Sequence, residues 1–168
     1  MKPEEVQSLF ADRLELFAPI SGQPTNVNLT QLHEELTAIL HPLLYYSEKG
    51  IHNLMGLVVN KDNCKVRYGI KFLKTTKPTV CNGYIPNNAT HAVCAKAEAV
   101  HTAKTTDYHI FAAAERETRY FILAAVEDTW VLELRDPVKL YTAVSPSELL
   151  SHLQVLCGGL HSLDVLAL

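Results

Sequence analysis

A mostly α-helical bundle is the fold this sequence predicts, on three observations. Apolar residues recur at three- and four-residue spacing in several separate stretches, the period of a helix that buries one face. From Asn88 to Val126 the chain has neither Gly nor Pro and is rich in Ala. Ser145-Pro146-Ser147-Glu148 has the residues of a well-made helix start. Its serine can cap the first N–H groups, its proline suits the first helical position, and its glutamate can reach back to the cap. Strand signals are few and no internal repeat is present, so an all-α fold built as a compact multi-helix bundle is expected, with one exception near residues 70–88.

The elements follow in order. Pro3 to Leu16 places Val6, Leu9, Phe10, Leu14 and Phe17 at helical spacing, and Pro19, Gly22 and Pro24 mark the loop after it. A second helix is expected from Asn28 or Thr30, burying Leu29, Leu32, Leu36, Ile39, Leu40 and Leu43. Pro42 should kink it near His41, or end it there with a short turn beyond. Ile51 to Val59 reads as a turn followed by an extended piece. A brief helix then runs from Asn60 or Asp62 to Gly69. Lys71 to Asn88 mixes Thr, Val, Pro78, Gly83 and Pro86 without a period, and is the candidate for a long surface loop or a short β-hairpin.

The Gly- and Pro-free run implies one very long helix or two, with a break or bend favoured between Lys104 and Asp107, where Thr105-Thr106-Asp107 can cap a new start. Tyr108, Phe111, Ala114, Thr118, Phe121, Ile122 and Ala125 form its inward stripe, and Glu115 and Arg119 pair on the outside. Trp130, Val131 and Leu134 belong to another short helix stopped by Asp136-Pro137. The last helix buries Leu149, Leu150, Leu153, Leu156 and Cys157 and ends at Gly158-Gly159. The core residues expected in this half are Phe111, Phe121, Ile122, Trp130, Leu134, Leu149, Leu150 and Leu153. The chain divides into an N-terminal helix and linker, 1–24, and a helical domain, 25–168.

Totals narrow the function classes. At 168 residues the chain can build one sizeable core. A net charge of -3, from 15 basic and 18 acidic residues, offers no general attraction to nucleic acid or an anionic membrane. A mildly cationic run, Lys61, Lys65, Arg67, Lys71, Lys74 and Lys77, reads first as a solvated face and second as a weak RNA contact. Cys64, Cys81, Cys94 and Cys157 show no CxxC pair, so reduced thiols are expected. The acidic N-terminus lacks the apolar segment of a signal peptide, and no later run is long enough to span a bilayer, so an intracellular chain without membrane contact is expected.

The chemistry-bearing residues do not assemble into a motif. His91 and Cys94 share a helix face, with His101 and His109 on later turns, but a structural zinc needs four ligands and only two are convincing. Cys64, Cys81 or Cys157 could meet a histidine in space, yet no nucleophile motif, phosphate loop or carboxylate pair accompanies them. No catalytic residue, metal or cofactor is expected.

The ordered residues resemble a known family. Ala124-Ala125-Val126-Glu127-Asp128-Thr129-Trp130, then Leu134-Arg135, Thr142-Ala143-Val144-Ser145-Pro146, Leu149-Leu150-Ser151-His152-Leu153, Gly158 and Asp164 look like the Gag-like capsid region of copia-type LTR retrotransposons. Gly22-Gln23-Pro24-Thr25, Leu54 and Gly56-Leu57-Val58 are collinear but weaker matches. The resemblance spans about residues 20 to 168, with most of its specificity in the last 45. It implies the N-terminal lobe of a helical capsid protein that self-associates into an intracellular, cytoplasmic virus-like shell around element RNA and has no catalytic residues.

Three departures stand beside it. Cys157-Gly158-Gly159 occupies the place of an aromatic residue and a single Gly. The chain stops at Leu168, where relatives continue into a second lobe. It also has no Cys/His zinc knuckle, so RNA contact is expected to be weak or to come from another segment. The alternative function is a helical adaptor that holds a peptide or protein partner in a groove.

Overall fold

The computed structural model describes residues 1–47, 50–59, 64–66, 69, 72, 74–78 and 90–157. Its elements are α1 (Pro3–Leu16), α2 (Asn26–Leu40), a hairpin of β1 (Leu44–Ser47) and β2 (Gly50–Asn53), α3 (His91–Ala125) and α4 (Pro146–Cys157). Short 3-10 turns cover Leu54–Leu57, Asp128–Trp130 and Leu132–Leu134. The protein is therefore mostly α, and its one sheet among the described residues is the two-stranded hairpin.

The helices start where their end groups can be satisfied. At α1, Pro3 occupies the first position and the Glu5 carboxylate accepts the backbone N–H of Lys2 at 2.7 Å. At α2, Thr25 Oγ1 accepts the N–H of Asn28 at 3.2 Å while Asn28 Oδ1 accepts the N–H of Thr25 at 3.0 Å. This reciprocal cap sets the start at Asn26, slightly before the expected Asn28 or Thr30. At α4, Ser145 Oγ accepts from Glu148 N at 3.2 Å, and Glu148 Oε2 accepts from Ser145 N at 3.0 Å.

Three expectations are corrected. The helix ends at Leu40 with His41 as its cap, the second of the two outcomes expected at Pro42, but beyond the turn the chain forms a strand pair that was not expected. Pro42 ends α2 at Leu40, and the following Leu-Leu-Tyr-Tyr run carries β-favouring aromatics that pair antiparallel, Leu44 opposite Asn53 and Ser47 opposite Gly50. The extended piece of Ile51 to Val59 therefore precedes its turn: Asn53 closes β2 and caps the 3-10 turn by accepting Met55 N through Oδ1 at 2.6 Å. The long loop or short hairpin expected within 70–88 lies mostly outside the described residues, and 72 and 74–78 have no regular structure.

The third correction concerns α3, which runs unbroken through Thr105-Thr106-Asp107. Thr105 and Thr106 each return their hydroxyl to the carbonyl four residues earlier, His101 at 2.9 Å and Thr102 at 3.0 Å. The hydroxyls that could have capped a new helix are thus satisfied inside the old one.

One core joins all the elements. Val6 and Phe10 of α1, Leu32, Leu36 and Leu40 of α2, Phe121 and Ile122 of α3, and Leu149 and Leu153 of α4 belong to a single buried cluster. Each fully buried side chain of this size contributes about 1.5–3 kcal/mol relative to exposure. The linker from α1 to α2 is fastened to the end of α3: Ile20 N donates to Ala125 O at 2.7 Å, Gly22 N donates to Glu127 Oε1 at 2.9 Å, and Phe17 meets Phe121 edge-to-face at 5.5 Å.

Two glycines have structural reasons. Gly69, at φ +66°, accepts a left-handed turn as its N–H bonds the Lys65 carbonyl at 3.1 Å, which ends the helical residues 64–66 as expected. Gly56 lies under the ring of Phe72, which in turn meets Phe111 at 6.0 Å. A β-carbon at position 56 would occupy the space of that ring. Gly56→Ala is expected to displace Phe72 and lower stability by about 1–3 kcal/mol in urea denaturation, as overpacking does; an unchanged midpoint would show that Phe72 is not held there.

Candidate functional site

The residues expected in the core separate into two groups. Phe111, Phe121, Ile122, Leu149, Leu150 and Leu153 are buried. Trp130 and Leu134 are half-buried and pack on the rim of the core, while Val131 between them is completely enclosed. The expected single helix there is two 3-10 turns, and their tighter three-residue repeat turns Val131 inward in place of the larger neighbours. Tyr108 is likewise half-buried, with Ile110 and Ala113 buried beside the expected stripe. In α4, Leu156 is 42% exposed and Cys157 half-buried, because the last turn outruns the core on which the helix packs. The expected stop at Gly158-Gly159, and Asp164, lie outside the described residues.

Of the cationic run, Lys65, Lys74 and Lys77 are exposed, and Lys61, Arg67 and Lys71 lie outside the described residues. His91 is exposed and Cys94 half-buried. Among the described residues no group of three or more His, Cys, Asp or Glu side chains is placed to hold a metal ion. Burial pushes the thiols of Cys64 and Cys157 above their ordinary pKa, the opposite of the shift that makes a nucleophilic thiolate. Cys81 lies outside the described residues.

Arg119 has a larger part than the outward pairing expected of it. Its side chain is only 14% exposed, with Nη2 against Glu115 Oε1 at 3.1 Å and Nε donating to the Val144 carbonyl at 2.7 Å. That carbonyl directly precedes the Ser145 cap, so Arg119 fastens the entry of α4 to α3. A charged hydrogen bond in this partly covered setting is stronger than a surface ion pair. Periodicity shows only that Glu115 and Arg119 are neighbours; it carries no information about the loop carbonyl that approaches them.

Two further surface features were not read from the sequence. The first is a half-open groove of about 650 Å³ between the end of α1, its linker and one side of α2. Leu16, Phe17, Pro19 and Ile20 provide its apolar wall, and Gln31, Glu34 and Glu35 its polar one. Glu35 pairs with Arg13 at 2.7 Å, whereas Glu34 is exposed. Its size is in the range of ligand and peptide sites.

The second is the loop Asp136–Leu140. Its ends exchange two backbone hydrogen bonds, Asp136 N to Leu140 O at 2.8 Å and Leu140 N to Asp136 O at 3.0 Å. The Asp136 carboxylate accepts the N–H groups of Val138 and Lys139, each at 2.7 Å, and these two donors hold its pKa below the usual carboxylate range, that of Lys139 contributing most. Leu140 has φ +54°, a left-handed conformation that costs a branched residue about 1–2 kcal/mol. The loop is thus a fixed projection with Val138, 88% exposed, at its tip. Asp136-Pro137 was legible as a stop; the Asp-Pro pair is also a turn signature and was the available signal for this loop.

No family model, curated protein or solved structure matches this chain.

Two outcomes follow from the charged groups. Arg119→Ala should lower stability by about 1–3 kcal/mol by leaving the Val144 carbonyl and Glu115 without their donor, measured by urea denaturation; an effect no larger than that of Arg116→Ala would count against the tie to α4. Asp107 has a carboxyl raised above its ordinary pKa, chiefly by burial and in part offset by the charge of His52. A raised carboxyl contributes stability below its unfolded pKa, and that contribution is lost as pH rises through the folded value. Asp107→Asn should therefore gain on the wild type in urea midpoints as pH rises from about 4 toward 7, and a pH-independent difference would refute the assignment.

Proposed function

We propose that this chain is a structural, non-catalytic helical domain whose business is self-association, of the Gag-like capsid type that it resembles, most specifically in its last 45 residues. The observation that carries the reading is the exposure of apolar side chains in that same segment. Leu132, Val138, Leu140, Val155 and Leu156 are 53%, 88%, 46%, 84% and 42% exposed, although Val131, Leu149, Leu150 and Leu153 beside them already complete the local core. Exposed apolar side chains also occur elsewhere along the chain, Leu16, Val27 and Tyr120 among them, and those of this segment support an interface where they gather into one patch. Capsid contacts of this kind are individually weak and are summed over many copies.

Packaging of element RNA inside such a shell belongs to the same proposal. Exposed Lys65, Lys74 and Lys77 could give only weak, salt-sensitive contact, consistent with the acidic balance of the chain. A second reading, an adaptor that holds a peptide, is favoured by the groove between α1 and α2.

Sedimentation velocity and electron microscopy across a wide concentration range distinguish them. The capsid-type reading expects mass-average size to rise with concentration and to end in rings, sheets or shells. A chain that stays monomeric throughout and forms a one-to-one complex with a single peptide would replace it with the adaptor.

A further inference from the structure

The geometry points to a specific contact between copies of this chain: the Asp136–Leu140 loop of one copy seats in the α1–α2 groove of another. This inference rests on the self-association proposed above and names its surfaces. The two features are complementary in chemistry. The loop presents an apolar side chain, a cation and a second apolar side chain in succession, Val138, Lys139 and Leu140, while the groove sets apolar Phe17 and Pro19 beside the carboxylates of Glu34 and Glu35. Lys139 is exposed, and among the described residues neither it nor Glu34 has an ion-pair partner, so each brings an uncompensated charge of opposite sign.

Preorganisation makes the loop suited to insertion. Its two cross-loop backbone bonds and the Asp136 carboxylate already fix the conformation, so little chain entropy is lost on docking. Leu140 is kept in the left-handed region while still 46% exposed, so burial within its own chain does little to offset the strain. Burial against a second copy would offset it. The groove is also ready before docking, since the Arg13–Glu35 pair holds one edge of α2 to α1 and the linker is fastened to α3 through Ile20 and Gly22.

A contact between two different surfaces of one chain either closes by reciprocal exchange in a pair or propagates from copy to copy. Both arrangements use the same Lys139–Glu34 pairing.

The test is a charge swap read by sedimentation equilibrium on the full chain, with thermal melts confirming that each variant is folded. Lys139→Glu and Glu34→Lys should each weaken self-association about five- to tenfold, and the two together should restore it to within about twofold of wild type, as a direct pair does in a double-mutant cycle. Val138→Ser, which removes a side chain with almost no contacts in its own chain, should weaken association without altering the melt. If the wild type associates but the single reversals leave its constant unchanged, or the double reversal fails to recover it, this contact is wrong and self-association proceeds through other surfaces. If the wild type remains monomeric at every concentration, the self-association reading falls and this contact falls with it.

Discussion

The burial of the C-terminal half of α3 is the constraint on which the other elements depend. α1, α2, β1, the 3-10 turn Leu54–Leu57 and α4 all pack on this one helix. Phe111, Ala114, Thr118, Phe121, Ile122 and Ala125 form the face they share. Its small residues admit close neighbours and its large ones fill the gaps between them. Thr118 is compatible with that apolar face because its hydroxyl donates to the Ala114 carbonyl at 2.6 Å and so needs no partner elsewhere. The N-terminal half contrasts with it: no side chain from His91 to His109 is buried.

The ends of α3 organise the surface as well as the core. At its C-terminus, the Ala125 carbonyl and the Glu127 carboxylate receive the linker of α1, and this fastening shapes one wall of the groove. Six residues before Ala125, Arg119 takes the Val144 carbonyl and so directs the entry of α4. The segment between these two anchors has to return over a short distance, which it does through two 3-10 turns and the closed Asp136–Leu140 loop. The exposed apolar side chains of Leu132, Val138 and Leu140 are products of that compact return, because a short path over a filled core has no further interior to offer them.

Much of the helical framework was legible in the residues, and the proposed binding features were not. The first and last helices were bounded correctly at their starts, because Pro3 and the Ser145-Pro146-Ser147-Glu148 cap act locally through neighbouring backbone groups. The failures have equally physical causes. Leu44 to Ser47 continued a leucine-rich run whose short length does not separate strand from helix, and only pairing with Gly50 to Asn53 decides it. Thr105-Thr106-Asp107 has the composition of a cap, yet the same hydroxyls can bond backward within a helix. Trp130 was expected in the core from its place in a short amphipathic segment; it is half-buried and packs on the rim of that core, and the enclosed position is Val131 beside it.

The sequence by itself determined the class of fold, the starts of α1 and α4, and most of the apolar stripes of α2, α3 and α4. Those properties depend on neighbours within a few residues, where spacing and cap chemistry operate. Only the tertiary structure decided that α1 joins the common core, that Arg119 serves a carbonyl 25 residues away, that the linker and α2 enclose a groove, and that Val138 projects from a closed loop. Each of these is a meeting of groups distant in the chain, and the free energy that holds them comes from shared burial and long-range hydrogen bonds, for which residue order carries no spacing to read.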